Sequence, residues 1–357
     1  MWFFIVFTQL LAVITSTILW WLILPKKRRS QLILVASVFS INNIVLAYGL
    51  SEFWGERFHV YLVVGILQGF MGYALLITAV IALFYNKGLK KRASPLALRG
   101  TAVGMYIGIV SLALFNAYSP VVRHVTVSID KPLAKPLSIA LLSDTHLGRW
   151  FGNRQIDKMV SLVDAHNPDV VLIAGDIMND TTIAYDSTNM HQRLSRLTAP
   201  LGVYATLGNH DYLGYEAQIA AAVERAGIKV LDNKSVRLDE SVWLIGRSDD
   251  TDLTRLSTAE LLTQVDTAQP VIFLEHQPST IDEVSGFPID LHLSGHTHGG
   301  QIFPLTTLMR WFTPLAYGSK QLNDTHFLVT SGYGIGAVPF RLGTRSEIWM
   351  IKLQGKS

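Results

Sequence analysis

The stretch that decides the fold reads Leu293-Ser-Gly-His-Thr-His-Gly-Gly-Gln301. Two histidines stand one residue apart between glycines, and residues 289–293 before them alternate apolar and polar side chains, as a half-buried strand does. The pair is therefore predicted at the end of a strand, on a tight turn whose glycines let the backbone approach another group closely. Neutral imidazoles are common metal ligands. The turn suggests a metal site, although His-x-His also occurs in ordinary strands.

From residue 137 onward, predicted strands alternate with predicted helices, which is typical of layered sheets with helices outside. Ligands of α/β proteins gather at the carboxyl ends of strands. Taken singly, a polar residue there has a simpler explanation as a helix cap or a turn residue. Five such ends, mostly beside a glycine, favour one shared site. The candidates at these ends are Asp144, His146, Asp176, Asn209, His210, His276, His296 and His298.

The types of donor narrow the chemistry of this site. Carboxylate, imidazole and amide ligands suit Mn²⁺, Zn²⁺ or Fe²⁺, and the chain contains no cysteine, which excludes thiolate sites and disulfides. Apart from His210, seven candidates remain, more than one tetrahedral ion needs. Two divalent ions that share a bridging carboxylate would use them all. Such a pair can clamp the attacking and leaving oxygens of a displacement at phosphorus.

The first part of the chain differs in composition from the second. Residues 1–136 carry 13 Lys and Arg against 3 Asp and Glu, a net +10, and residues 137–357 carry 17 against 24, a net −7. Neither part shows the basic stripe of a nucleic-acid-binding protein. Four apolar segments are each long enough to cross ~30 Å of hydrocarbon. They are Met1–Leu24, Gln31–Leu50, Val60–Tyr85 and Thr101–Ser119. For the first, a cleaved signal peptide is the alternative, but no basic residue precedes it.

The loops between these segments predict their orientation. The loops at 25–30 and 86–100 are rich in Lys and Arg, whereas the loop at 51–59 has one Arg against two Glu. Because positive loops stay in the cytoplasm, the part that follows the fourth helix is expected outside it. The second to fourth segments contain no acidic or basic residue, which argues against an ion transporter. Amides such as Asn42 and Gln68 are expected to bond between helices.

The motifs of the second part resemble those of the calcineurin-like metallophosphoesterases. The matching elements are Asp144-Thr-His146, Gly175-Asp176, Gly208-Asn-His-Asp211, His276 and Gly295-His-Thr-His298. The GHTHGGQ form is similar to the bacterial membrane-associated branch, although Ser346 stands where that pattern usually has proline. The resemblance implies an α/β fold, a four-layer αββα sandwich, here preceded by a four-helix transmembrane region. We expect an anchor at 1–119, a linker with an edge strand at 120–136 and a catalytic domain at 137–357.

The resemblance also implies a role for each candidate. Asp144, His146 and His298 would hold the first metal ion. Asn209, His276 and His296 would hold the second, with Asp176 bridging the two. A metal-bridging hydroxide would attack phosphorus. His210 would act as general acid or as donor to the phosphoryl oxygens. Asp211 either orients His210 or caps a turn, and the sequence leaves both open.

The expected function is a membrane-anchored phosphodiesterase that depends on two metal ions, in the bacterial inner membrane with its catalytic domain extracytoplasmic. A phosphomonoesterase and an enzyme of the UDP-diacylglucosamine pyrophosphatase type are alternatives, the latter acting on a cytoplasmic substrate. An inactive metal-binding scaffold is the alternative from another class. The partners would be membrane lipids and a phosphoester, lipid-linked if certain aromatic residues form an apolar rim rather than core. These residues are Trp150, Phe151, Trp311 and Phe312, with Met309 beside them.

Overall fold

The computed structural model describes residues 1–51, 56–213 and 215–355. Residues 52–55 of the predicted second loop and residues 214 and 356–357 of the predicted catalytic domain lie outside this part of the chain. The chain forms two compact units, residues 1–115 with 337–339, and residues 116–336 with 340–357. The boundaries expected from the sequence, at 119 and 136, stay predictions.

The first unit is helical, and its four helices are long and apolar enough to cross a membrane, as predicted. They are α1 (Trp2–Ile23), α2 (Arg28–Leu50), α3 (Glu56–Leu89) and α4 (Pro95–Tyr118). Two buried amides meet between helices, where the Nε2 of Gln68 donates to the Oδ1 of Asn42 at 2.9 Å. The predicted interhelical role of these amides is confirmed, and it satisfies polar groups in an apolar bundle.

The second unit contains two six-stranded sheets, ordered β1-β12-β2-β3-β4-β5 and β10-β11-β9-β8-β7-β6. The strands are β1 (Val121–Ile129), β2 (Leu137–Leu142), β3 (Val170–Ala174), β4 (Val203–Thr206), β5 (Lys229–Val230), β6 (Lys234–Arg237), β7 (Trp243–Gly246), β8 (Val271–Leu274), β9 (Leu291–Ser294), β10 (Gly318–Leu322), β11 (Thr325–Val329) and β12 (Glu347–Gly355). The helices are α5 (Asn153–Asp164), α6 (Ile183–Ser187), α7 (His191–Leu194), α8 (Glu216–Arg225), α9 (Thr258–Leu262), α10 (Ile281–Val284) and α11 (Leu305–Phe312), with a 3-10 turn at His298–Gly300.

The sheets pack face to face around one apolar layer. Alternate residues of the first sheet, such as Ile139 and Leu172, share a buried cluster with Leu244, Ile272 and Leu293 of the second sheet. The opposite face of the first sheet packs on α5 and α8, and that of the second on α9 and α10. Burial on both faces produces this layering, because central strands such as β3 and β8 bury side chains on each side. The predicted αββα sandwich is confirmed.

Two details of the strands concern the crossing between the sheets and the sheet edge. Residues 229–238 form two short strands, β5 and β6, which belong to different sheets. The chain crosses between the sheets here, with Leu231 buried in the shared core and Asn233 at φ 50°. The expected edge strand is present, and β1 runs parallel to β12 over nine residue pairs.

The arrangement of strands places the loops that carry polar residues at common edges. Strands β2, β3 and β4 are parallel neighbours in the first sheet, and β8 and β9 are parallel neighbours in the second. Parallel neighbours end at the same edge of a sheet. The loops that follow these five strands carry all the candidate ligands, so the topology decides which residues can meet.

Candidate metal centre

The candidate residues form two adjoining groups. Asp144 and His146 come from the loop after β2, and His298 comes from the glycine-rich turn after β9. The Nε2 atoms of His146 and His298 lie 3.2 Å apart, and the Nε2 of His298 lies 3.4 Å from the Oδ1 of Asp144. One ligand atom from each residue lies within 4.8 Å of the others, a separation suited to a shared ion.

The second group forms beside the first. The Nε2 of His276 lies 3.2 Å from the Nδ1 of His296 and 3.2 Å from the Oδ1 of Asn209. The Oδ2 of Asp176 lies 3.2 Å from the Nε2 of His276 and 3.6 Å from the Nε2 of His146. The Asp176 carboxylate therefore stands between the two groups, and the structure brings together all seven residues for which a metal role was predicted.

The donors fit divalent cations. The Oδ1 of Asp144, which faces the Nε2 of His298, is buried and has no hydrogen-bond partner among the described residues. Buried polar atoms are seldom left without a partner unless they bind an ion or water. The Nε2 atoms of His146 and His298 also converge at 3.2 Å, with carboxylate oxygens of Asp176 and Asp144 within 3.6 Å of them. Oxygen and imidazole donors without thiolate favour Mn²⁺, Zn²⁺ or Fe²⁺ over Cu⁺.

Hydrogen bonds fix the orientation of several donors. The Nδ1 of His276 contacts the carbonyl oxygen of Ala174 at 2.8 Å, which leaves its Nε2 facing the centre. The Oδ2 of Asp144 accepts from the Ser143 hydroxyl at 2.6 Å and from the His296 amide at 3.1 Å. Such contacts around a metal ligand set its tautomer and its direction.

The backbone at the centre lies in an uncommon conformation. Five candidate residues have positive φ, namely Asp144 (52°), His146 (42°), Asp176 (50°), His296 (68°) and His298 (48°). Each such residue costs about 1–3 kcal/mol, and such strain concentrates at functional sites. The sharp reversals turn consecutive side chains toward one point at the edge of the sheets.

Two glycines allow the loops to approach each other. A Cβ at Gly208 would lie 2.3 Å from the Oδ1 of Asp176, and one at Gly295 would lie 1.9 Å from the Oγ of Ser143. Both distances are far below van der Waals contact. Only glycine fits at these positions, which explains its place in both motifs.

Burial and neighbouring charges set the protonation of the ligands. Burial lowers the pKa of His146 to about 3, and burial together with Arg341 lowers the pKa of His298 well below its ordinary value. Both rings are therefore neutral, the form that binds metal. Burial also acts to lower the pKa of His276, but the carboxylate of Asp176 outweighs it and raises that pKa to about 10. The His276 ring in turn holds the pKa of Asp176 below its usual range, against the effect of burial.

His210 lies beside the centre, and its ring contacts Asp180. Its amide donates to the Oδ1 of Asp176 at 2.9 Å, and its ring centroid lies 5.0 Å from that of His146. The Nδ1 of His210 contacts the Oδ1 of Asp180 at 2.6 Å. Burial acts to lower the pKa of His210, but Asp180 and Asp176 outweigh it and raise the pKa to about 9. Asp180 was not singled out in the sequence, where it resembles a turn residue.

The carboxylate of Asp211 has the second of its two predicted roles. It accepts backbone hydrogen bonds from Ile177, Met178 and Gly208, each at 3.0 Å. It therefore ties the loop after β3 to the loop after β4 and caps the turn, whereas Asp180 orients the His210 ring. Burial and the Asp176 charge raise the pKa of Asp211 to about 7.

A buried charged network supports the loop of His276. Glu275 faces away from the centre, and its carboxylate binds Arg247, Arg255 at 2.7 Å and His292 at 2.7 Å. Asp249, on the loop after β7, is also buried, and its carboxylate accepts from the Nε2 of Gln277 at 3.0 Å.

Arg341 lies behind the first group and is fully buried. Its Nη2 lies 3.2 Å from the Nδ1 of His298 and donates to the carbonyl oxygens of Gly332 at 3.2 Å and Gly334 at 2.7 Å. Because one guanidinium spans the ring and two carbonyls, it locks the loop at 332–336 against His298.

Comparison with known proteins agrees with this geometry. A profile of the calcineurin-like phosphoesterases matches residues 137–300. An uncharacterized metallophosphoesterase of Campylobacter jejuni is 32% identical over 266 residues, which cover 70% of each chain. One of Aquifex aeolicus is 31% identical over 258 residues, 68% of this chain and 97% of that one. A Danio rerio protein described as a transmembrane protein with a metallophosphoesterase domain is 33% identical over 283 residues, 74% of this chain but 63% of that one.

Proposed function

Because the chain belongs to the calcineurin-like phosphoesterase family and is therefore a metal-dependent phosphoric ester hydrolase, we propose that its reaction is the hydrolysis of a phosphodiester. The observation that carries the proposal is the position of Asp176, whose Oδ2 lies 3.2 Å from His276 and 3.6 Å from His146. One carboxylate oxygen thus serves two groups of donors, as a centre with a pair of ions requires.

Each of the two groups of donors has a proposed ion to hold. Asp144, His146 and His298 would hold one ion, and Asn209, His276 and His296 the other. Two divalent ions bound there would polarise the phosphoryl oxygens and lower the pKa of water. The Asp176 carboxylate would fix the spacing between the two positions, and the buried imidazoles of His146, His276 and His298 would exclude bulk water from them.

His210 is the proposed proton donor. Its raised pKa, about 9, keeps the ring protonated at neutral pH, and its side chain is 30% exposed on the open side of the centre. With Nδ1 held by Asp180, the Nε2–H would point to the substrate and give its proton to the departing alkoxide. The ring nitrogen would then regain a proton from solvent.

The location of the reaction is a second part of the proposal. The protein is a membrane protein with four apolar helices, and we propose that it resides in a bacterial inner membrane with the catalytic unit extracytoplasmic. The basic residues at 26–29 and 87–99 support this orientation, since positive loops stay inside. Alkaline phosphatase fused to the carboxyl terminus should be active and a fused green fluorescent protein dark; the reverse pattern would favour the pyrophosphatase alternative.

The central experiment compares matched esters. The full chain, purified in detergent and supplied with Mn²⁺, Zn²⁺ or Fe²⁺, is assayed on bis-p-nitrophenyl phosphate and p-nitrophenyl phosphate. We expect faster hydrolysis of the diester; a preference for the monoester would assign the alternative phosphomonoesterase. Bound metal without turnover of either ester would identify a scaffold.

A pair of variants tests the bridging role. Asp176→Asn should lose both bound metal, measured by elemental analysis, and turnover, because one oxygen serves both positions. Asp186→Asn is the matched control, since its carboxylate lies half exposed on the surface beside Arg225. An Asp176→Asn protein that kept two ions would contradict the assignment.

A further inference from the structure

Helix α11 exposes large apolar side chains, whereas an ordinary surface helix exposes polar ones. It buries Thr306, which is 6% exposed, and turns outward Leu305, Leu308, Trp311 and Phe312, which are 56%, 37%, 73% and 80% exposed. These four side chains are called the α11 face below. Leu305, Leu308 and Phe312 are spaced by three and four residues and form one stripe. Of the aromatic residues weighed from the sequence, Phe151 belongs to the core, and Trp311 and Phe312 do not.

The α11 face adjoins the candidate centre along the chain. Leu305 follows His298 by seven residues, and their two segments pack on each other through Gly300, whose Cβ position lies 2.6 Å from Leu305 backbone atoms. Other loops of the centre also expose large apolar side chains a few residues beyond a site residue. These are Trp150 after His146, Ile183 after Asp180 and Leu213 after His210, which are 59%, 70% and 53% exposed.

So many exposed apolar side chains indicate a surface that contacts another molecule. Soluble proteins rarely expose contiguous apolar patches of more than about a few hundred Å². Patches above that size mark contact with a protein or a membrane. In this protein the preceding helix favours a membrane. Helix α4 is long and apolar enough to cross a bilayer and ends at Tyr118, and β1 begins at Val121. Two residues separate these elements, so the first strand begins at most ~11 Å from the last residue of this apolar helix.

The composition of the α11 face agrees with a bilayer interface. Trp311 follows the exposed Arg310, and Trp150 follows the exposed Arg149. Tryptophan beside a cationic side chain is typical of the headgroup region, where the ring enters the acyl boundary and the cation meets lipid phosphates. A short helix with leucine and phenylalanine on one stripe inserts in the same way.

We propose that the α11 face docks on the lipid bilayer and presents the metal centre to phosphodiesters carried by membrane lipids. The substrate part of this inference rests on the proposed function. A lipid phosphate lies at the depth of the headgroups, and a centre whose rim enters that layer reaches the ester without extracting the lipid. A soluble ester gains nothing from this contact.

The docking is tested by spin labels in the full chain. The protein has no cysteine, so Leu308→Cys and Phe312→Cys each give a single labelling site, and Glu240→Cys, in the exposed turn between β6 and β7, is the matched control. In phosphatidylcholine–phosphatidylglycerol nanodiscs, nitroxides on α11 should collide more with oxygen than with a water-soluble nickel complex, and the control should show the reverse. A label on α11 as accessible to nickel as the control would overturn the docking. Broadening between labels that grows with protein loading would place a second copy on the face and overturn it as well.

The substrate class is tested by rates. The chain is reconstituted in vesicles with a p-nitrophenyl ester of dioleoylphosphatidic acid and, separately, with bis-p-nitrophenyl phosphate in solution. Trp311→Ser with Phe312→Ser should lower the ratio of lipid to soluble turnover about tenfold or more, because the apolar anchors are lost. An unchanged ratio would overturn the lipid assignment. If the wild-type protein hydrolyses neither ester, the proposed function fails, and the spin labels still decide the docking.

Discussion

The Nδ1 of His210 lies 2.6 Å from the Oδ1 of Asp180, whereas the carboxylate of its neighbour in sequence, Asp211, is held by three backbone amides. Two carboxylates thus flank the proposed proton donor, and only one touches its ring. Asp180 lies on the loop after β3, and Asp211 on the loop after β4. Asp180 orients the imidazole and Asp211 joins two loops. Substitution of each residue should therefore have a different effect.

Asp180→Asn should lower kcat about 10²-fold with bound metal unchanged, because the charge that orients and protonates His210 is lost while every proposed ligand remains. Steady-state kinetics and elemental analysis measure the two quantities. The contrast is Asp211→Asn, which should lower the free energy of unfolding by ~1–3 kcal/mol, since a neutral amide satisfies the three buried N–H groups poorly. An Asp180→Asn protein that lost metal would show that the residue supports the ligands instead.

Gly208→Ala should weaken metal binding at the centre without unfolding the sheets. The new Cβ would lie 2.3 Å from the Oδ1 of Asp176 and 2.8 Å from the Cδ2 of His276. Both side chains must move, and displaced ligands typically cost tenfold to about hundredfold in metal affinity. Competition with a fluorescent chelator measures the affinity.

Gly286→Ala is the control for that substitution. Its Cβ would meet only the Glu283 carbonyl oxygen, at 3.4 Å, and its φ is not positive. Metal affinity should match that of the wild-type protein. Equal losses in the two variants would mean that alanine acts through general stability and not through the centre.

Arg341→Lys should weaken one metal position more than the other. A lysine ammonium cannot span the His298 ring and the carbonyl oxygens of Gly332 and Gly334 together. His298 then loses its support, and the affinity of the first group should fall about tenfold or more. Calorimetric titration of metal-free protein should show one weakened event and one retained. Loss of both events to the same extent would argue for a fold defect.

Glu275→Gln should destabilise the catalytic unit. The side chains of Glu275 and Arg247 are 1% and 2% exposed, so the variant leaves a guanidinium buried with one carboxylate fewer. Removal of one partner from such a pair costs about 3–5 kcal/mol. Thermal melting of the full chain in detergent, monitored in the near ultraviolet, measures the change. Glu260→Gln, at an exposed helix cap, should shift the midpoint far less; similar shifts would contradict the importance of the network.

Local patterns in the sequence were sufficient for the donors and for much of the fold. The His-Thr-His turn, the glycines and the period-two strands are local features, and neighbouring residues alone decide them. Because side chains alternate along a strand, Glu275 faces away from the centre that its neighbour His276 faces. Its partners could not be found from the sequence, because Arg247, directly after β7, and His292, in β9, meet Glu275 only through the register of the sheet.

The sequence by itself determined the four apolar helices, the alternation of strands and helices, and the residue types that can hold divalent cations. Only the tertiary structure decided that Asp180 and not Asp211 contacts His210, that Asp176 stands between two groups of donors, and that α11 exposes Leu308 and Phe312 instead of burying them. The physical reason is the distance along the chain between the residues that interact. Hydrophobic period and turn chemistry act between neighbours along the chain, whereas partners, burial and charge at a site depend on segments that meet only when the sheets pack.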